Sequence, residues 1–380
     1  MDLTGLSPDA VADLLGRLIR CESPDPPGDE TKVARALAEA LGSLGFAPEV
    51  EEFAPRRFNV MARIKGNGSR APLVFSAHTD TLPAGTGAWK HPPFAGHFDG
   101  LRVHGRGACD MKSGLVAMVS AAVALQDQAL GGDLIMAFTG GESSACLGAR
   151  RLVETGALRG AGAILISEPT SLRVALAEKA ALWLRIEAAG VAGHLSGDAS
   201  RGNGGQSAIL AMIGFLGRVQ SALPHDRHAL LGAVTANVGK IAGGTAINLM
   251  PDRCVAELDL RLLPHHDADR IQQGLEDMAG DGFAFTRIDL KPAVETRSDN
   301  PFAALCLAEA AAVTGLPRDP VGVTYFSDAA VLCPAFGMPM VIIGPGQLGG
   351  SGAIDESVVL EDVVTAAKIY ARIAMGWLGA

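Results

Sequence analysis

The chain has 380 residues, more than one hydrophobic core usually fills, so two domains are expected. Hydrophobic residues make up 48% and charged residues 19%, with a net charge of −9 and no Lys/Arg block. That balance is ordinary for a folded soluble protein and argues against nucleic acid or an anionic membrane as partner. No apolar stretch reaches the roughly 18 uncharged residues of a bilayer span. The start, Met1-Asp2-Leu3-Thr4, carries neither a basic nor an apolar leader segment. Six scattered cysteines (Cys21, Cys109, Cys146, Cys254, Cys306, Cys333) form no Cys-x-x-Cys pair and read as reduced thiols of a cytoplasmic protein.

In chain order, Ser7-Pro8 opens a helix with a capping hydroxyl and a proline at the first turn; Leu14, Leu15 and Ile19 follow at helical spacing. A second helix is expected over 31–44, closed by Gly45. Four continuous apolar runs read as buried parallel strands: Leu73-Val74-Phe75, Leu134 to Phe138, Ile164-Leu165-Ile166 and Val341-Ile342-Ile343. Their alternation with helices predicts an α/β fold, a mainly parallel sheet flanked by helices. After Glu168-Pro169-Thr170 the order becomes strand 182–186, helix 206–223, strands 235–241 and 254–262, helix 268–278 and strand 283–290. This βαββαβ order is the ferredoxin-like unit, here expected as a domain over 172–291 inserted into a larger one formed by 1–171 and 292–380.

Each apolar run stops at a residue or loop that could hold or surround a metal. In Ser76-Ala77-His78-Thr79-Asp80-Thr81, His78 and Asp80 leave the same face of a strand end. A metal-bound imidazole commonly hands its other N–H to a carboxylate, the role for which Asp80 is placed. Asp110, where a strand hands over to an Ala-rich helix, is either a helix cap or a carboxylate able to reach one or two ions, and its context favours the ligand. Glu142 is the only acid between Asp133 and Glu154, suited to act as general base on a metal-activated water. Glu168 is the remaining acidic ligand candidate, or else a solvated loop residue. Cys146, four residues after Glu142, is more simply a small buried residue than a soft ligand.

These segments resemble the co-catalytic zinc hydrolases that include aminoacylase, acetylornithine deacetylase, succinyl-diaminopimelate desuccinylase and the glutamate-releasing carboxypeptidases. The resemblance is carried by His78-x-Asp80, residues 105–114, the Glu142 segment with Gly148-Ala149, Ser167-Glu168-Pro169-Thr170, Gly193-His194, Asn248-x-x-Pro251, Asp259-x-Arg261, Ser327-Asp328 and Gly344-Pro345-Gly346. It implies a catalytic domain with two metals bridged by Asp110 and a lid domain through which the chain forms a homodimer. It also implies one metal on His78, Asp110 and Glu168. His194 would be the lid histidine that stabilises the oxyanion from the partner subunit. Arg261 and Asn248 would grip the substrate carboxylate or line the closed site, although Arg261 could equally form an ion pair with Asp259 on the same strand face. His91, His97, His104, His225, His228, His265 and His266 match no role.

The chain departs from that pattern at both ligands specific to the second metal. Family members read Glu-Glu where this chain reads Glu142-Ser143, and Ala-His where it reads Ser351-Gly352; no histidine follows His266. A hydroxyl and a glycine do not replace a carboxylate and an imidazole. The expectation is one divalent ion per chain, Zn²⁺ first, with Mn²⁺, Fe²⁺ or Co²⁺ also suited to one imidazole and two carboxylates. The expected reaction is hydrolysis of the amide of a small N-acyl amino acid or related anionic amide. Cleavage of a different C–N bond by a one-metal site, and a non-catalytic binding or regulatory homologue, are the alternatives.

Overall fold

The computed structural model describes residues 5–194 and 205–379. The chain divides into two compact units. One takes the chain up to Ala177, Val294–Val323 and the residues from Ser327 onward; the other takes Glu178–Ala293 and Thr324–Phe326.

The first unit is built on a nine-stranded sheet. Along it lie Glu49–Ala54, Arg57–Ile64, Leu134–Thr139, Leu73–His78, Ala163–Ile166, Met340–Ile342, Ala175–Glu178 and Val294–Glu295, with Val321–Val323 also paired to Ala175–Glu178. Its four central strands, Leu134–Thr139, Leu73–His78, Ala163–Ile166 and Met340–Ile342, run parallel. Every residue of the four is buried, as continuous apolar runs require when helices cover both faces. Flanking pairs are antiparallel: Arg57–Ile64 on Leu134–Thr139, Glu49–Ala54 on Arg57–Ile64, and Ala175–Glu178 on Met340–Ile342.

Register decides where the chemistry falls. His78 pairs with Thr139, Ser76 with Ile166, and Ile166 with Ile342, so the four central strands end along one rim. The next residues in each case are Thr79-Asp80, Gly140-Gly141-Glu142, Ser167-Glu168 and Ile343-Gly344. In an open α/β sheet that rim is the ligand crevice.

Helix Lys112–Leu125 is buried nearly all round, and its uniformly apolar sequence packs against Leu73–His78, Pro8–Arg20 and Leu360–Leu378. Gly114 lets it approach the sheet, since a Cβ there would lie 2.0 Å from the Ser167 hydroxyl oxygen. Helix Pro8–Arg20 starts as its sequence dictates, with the Ser7 hydroxyl accepting from the Ala10 N–H at 3.3 Å.

In the second unit, four antiparallel strands lie in the order Thr235–Gly243, Arg253–Leu262, Ala180–Ala189 and Phe283–Lys291, with helices Ala208–Ala222 and Ala268–Ala279. The chain order is βαββαβ. Leu182, Leu184 and Ile186 alternate with Trp183, Arg185 and Glu187, and the first set is buried while the second is less so. No helix among the described residues is long and apolar enough to cross a membrane. No disulfide joins the six cysteines.

Candidate metal centre

His78 closes its strand with its ring almost wholly buried. Its Nδ1 donates to the main-chain carbonyl of Asp80 at 2.9 Å, which fixes the tautomer and leaves the Nε2 lone pair for a ligand. Here the geometry differs from the expectation that the Asp80 carboxylate takes this bond. The nearer carboxylate oxygen is 3.8 Å from Nδ1. Asp80 instead accepts from the main-chain N–H groups of Glu142, at 3.1 Å, and Ser143, at 3.0 Å. The reason is Gly141: at φ +73° it turns the chain so that the short helix Glu142–Ala145 aims its first N–H groups at Asp80. Asp80 therefore positions Glu142.

Nε2 of His78 lies 3.1 Å from Asp110 Oδ1 and 3.5 Å from Glu168 Oε1. The donor atoms of these three residues all lie within 4.8 Å of one another. Asp110 is not a helix cap, because helix Lys112–Leu125 is capped at Met111 without a side-chain bond. Glu168 is not a solvated loop residue, being 4% exposed. It is clasped from behind by Gly344, where a Cβ would stand 2.3 Å from the Glu168 carbonyl oxygen.

Three further residues complete the surroundings. Glu356, buried, accepts through Oε1 from the N–H groups of Gly107 (3.1 Å), Cys109 (2.8 Å) and Asp110 (3.0 Å), and pairs through Oε2 with Arg106. Asp328, also buried, accepts from the Thr139 hydroxyl at 2.5 Å. Ser351 donates its hydroxyl to Asp110 Oδ2. Ser327-Asp328 stands in the sequence as a motif without a role. Glu356, 246 residues from Asp110, leaves no local signal at all.

Charge is concentrated here. Burial above all, then the charges of Asp328, Asp80 and Asp110, push the Glu142 carboxyl well above its ordinary value against a pull from His78. Burial and then Asp110 push Glu168 the same way. Burial lifts Asp328 to about 6 and Glu356 to about 7. Burial opposes a charged His78, but the Asp110 bond and the charges of Asp80 and Glu168 outweigh it and raise the ring well above its ordinary value. A packed set of acids that must otherwise hold protons or borrow one from a single imidazole fits a divalent cation, and one imidazole with two carboxylates is a fitting donor set.

The remaining expected residues belong to the second unit. Asn248 Nδ2 donates to His194 Nε2 at 3.1 Å. Arg261 pairs with Asp259 through Nη2 at 2.8 Å and stacks over Phe326 at 5.2 Å, while its buried Nη1 has no hydrogen-bond partner among the described residues. Cys146 is buried, its sulfur 3.8 Å from the Ser327 carbonyl oxygen. His104 bonds Asp99 at 2.8 Å and shares a ring cluster with His91 and His97.

Comparison with known proteins supplies the family. Residues 74–376 match the model of peptidase family M20/M25/M40. Succinyl-diaminopimelate desuccinylase of Methylobacterium radiotolerans is 31% identical over 97% of this chain and 96% of its own. Acetylornithine deacetylase of Myxococcus xanthus is 30% identical over 89% and 90%. Among solved structures, an M20 family metallo-carboxypeptidase from Sulfolobus solfataricus superposes with a TM-score of 0.81 at 19% identity, covering 96% of this chain and 98% of that one. A tripeptidase from Staphylococcus aureus gives 0.78 at 20% identity, covering 97% and 98%. With two buried donors and a half-buried third converging at the rim of a parallel sheet and a family match spanning most of its length, the chain belongs to peptidase family M20/M25/M40 and is a metal-dependent hydrolase of amide bonds.

Proposed function

We propose that the chain hydrolyses the amide of a small N-acyl amino acid or related anionic amide, working with one divalent ion held by His78, Asp110 and Glu168. The observation that carries this reading is the convergence of those three donors next to a buried Glu142. When bound, the ion supplies Lewis acidity, acidifying a water and polarising the amide carbonyl. Glu142 takes the proton of the attacking water as the C–O bond forms and delivers it to the nitrogen as the C–N bond breaks. Burial raises the Glu142 carboxyl, which favours its return of the proton to the leaving nitrogen. Asp80 holds Glu142 through its main-chain N–H.

The oxyanion donor is assigned to His194 and the grip on the substrate carboxylate to Arg261, with Asn248 beside His194. The bond from Asn248, and an Arg261 Nη1 without a hydrogen-bond partner among the described residues, support these roles. The second unit is assigned as lid and dimerisation domain. Its edge strand Thr235–Gly243 exposes Val238 and Ile241, and helix Ala208–Ala222 exposes Leu210 and Ile213, an apolar surface suited to a second copy. Reduced cysteines and the relatives' metabolic roles support a cytoplasmic setting.

The single-ion reading rests on Ser143 and Gly352. Ser143 offers its N–H to Asp80, and Gly352 has no side chain; its carbonyl accepts from Arg106 at 3.1 Å. Elemental analysis of the purified protein is expected to return one ion per chain, and two would refute the reading. Glu142→Gln is expected to lose turnover of acyl-amino acids by at least about 100-fold while keeping its ion; an unimpaired variant would remove the base assignment. Ser143 and Gly352 also favour a second reading, a shifted C–N bond. An ion-loaded wild type inert toward a panel of acyl-amino acids would select it.

A further inference from the structure

We propose that Ser351 is a positioning residue for the cation: its hydroxyl holds the outer oxygen of Asp110, so that this carboxylate offers Oδ1 alone to a single ion. The inference rests on the one-ion reading above and names the group that completes it. Asp110 is restrained at its N–H and at both carboxylate oxygens. Its N–H goes to Glu356 at 3.0 Å, Oδ1 faces His78 Nε2 at 3.1 Å, and Oδ2 takes the Ser351 O–H. Oδ1 is the oxygen that meets His78 Nε2, and that same nitrogen lies 3.5 Å from Glu168 Oε1.

An exposed serine would ordinarily spend its hydroxyl on water. Here the loop that carries it is pinned. Arg106 donates to the Gly352 carbonyl at 3.1 Å and pairs with Glu356, and the Gly350 N–H bonds the Gln347 carbonyl at 2.9 Å. Gly352, at φ +71°, turns the chain directly after Ser351. The donor that reaches Oδ2 is thus a neutral hydroxyl on a tethered turn. It fixes the carboxylate's rotation without adding charge, as partners of metal-ligating carboxylates do.

The test uses Co²⁺ as probe, with the full chain as wild type, Ser351→Ala and Ser351→Thr. Three quantities are read: Co²⁺ per chain, affinity by chelator competition, and the visible ligand-field bands of the loaded protein. Removing the hydroxyl is expected to weaken Co²⁺ binding about 10-fold and to shift the bands, as Oδ2 becomes free to join the ion. Ser351→Thr, which keeps the hydroxyl, is expected to restore both. An Ala variant with wild-type affinity and bands overturns the assignment, as does a Thr variant impaired as much as Ala. Two Co²⁺ per wild-type chain would instead overturn the one-ion reading itself, so the two failures are told apart.

Discussion

At the scale of single residues, Asp80 has a role that its position beside His78 conceals. Two residues along a strand end share a face, and that periodicity pairs the Asp80 carboxylate with the imidazole. The main chain bends after His78, so the Asp80 carbonyl meets the ring and the carboxylate turns to the Glu142 helix. Asp80→Asn keeps one acceptor but presents an NH₂ group to the other N–H, so one bond becomes a clash of donors. We expect a stability loss of about 1–3 kcal/mol, read from urea unfolding. Turnover should fall while ion content holds, because none of the three ligand atoms belongs to Asp80. Wild-type stability and turnover in this variant would show that the Glu142 turn holds itself.

Among the structural elements, the segment between Gly105 and Asp110 is a turn, with the Ala108 N–H on the Gly105 carbonyl at 3.0 Å, and is shaped by Glu356, which collects three of its N–H groups. Glu356→Gln removes the charge that pairs with buried Arg106 and weakens those three bonds. Ion affinity measured by chelator competition is expected to drop about 10-fold; an unchanged affinity would mean that Arg106 and the glycines alone hold the segment. The sequence exposes some elements far better than others. The parallel centre was legible because burial on both faces leaves unbroken apolar runs, and the second unit because burial on one face leaves strict alternation, as in Ala180–Ala189. Glu49–Ala54 was not, since an exposed, acid-rich edge strand has neither signature. His78 and Glu168 could be singled out because strand ends mark the rim, and Asp110 because it stands just ahead of the Ala-rich helix Lys112–Leu125. Glu356 and Ser351 lie in loops and reach Asp110 across more than two hundred residues, a distance that no local pattern spans.

For the molecule as a whole, the cluster of buried acids ties stability to pH and to the ion. Glu356, ordinarily near 4.5, is lifted by burial to about 7, and Asp328 from 3.8 to about 6. Glu142 and Glu168 move in the same direction. These groups therefore bind more protons in the folded than in the unfolded chain between about pH 4 and pH 7. Where the native state holds the extra protons, unfolding becomes easier as pH rises. The contribution of these carboxyls to the stability of the ion-free protein should be full below their unfolded values, fall through that window and level off above it. Glu356 and Asp328 each contribute on the order of a few kcal/mol to the fall. A divalent ion reverses the slope, because it binds the deprotonated donors of the native state and neutralises the charge that burial opposes. Thermal unfolding after chelation should thus give a higher Tm at pH 5 than at pH 8, and restoring Zn²⁺ should raise Tm far more at pH 8 than at pH 5. A chelated protein that melts higher at pH 8 would mean that these carboxyls are already compensated within the fold, and the cluster would then lose its claim to require a cation.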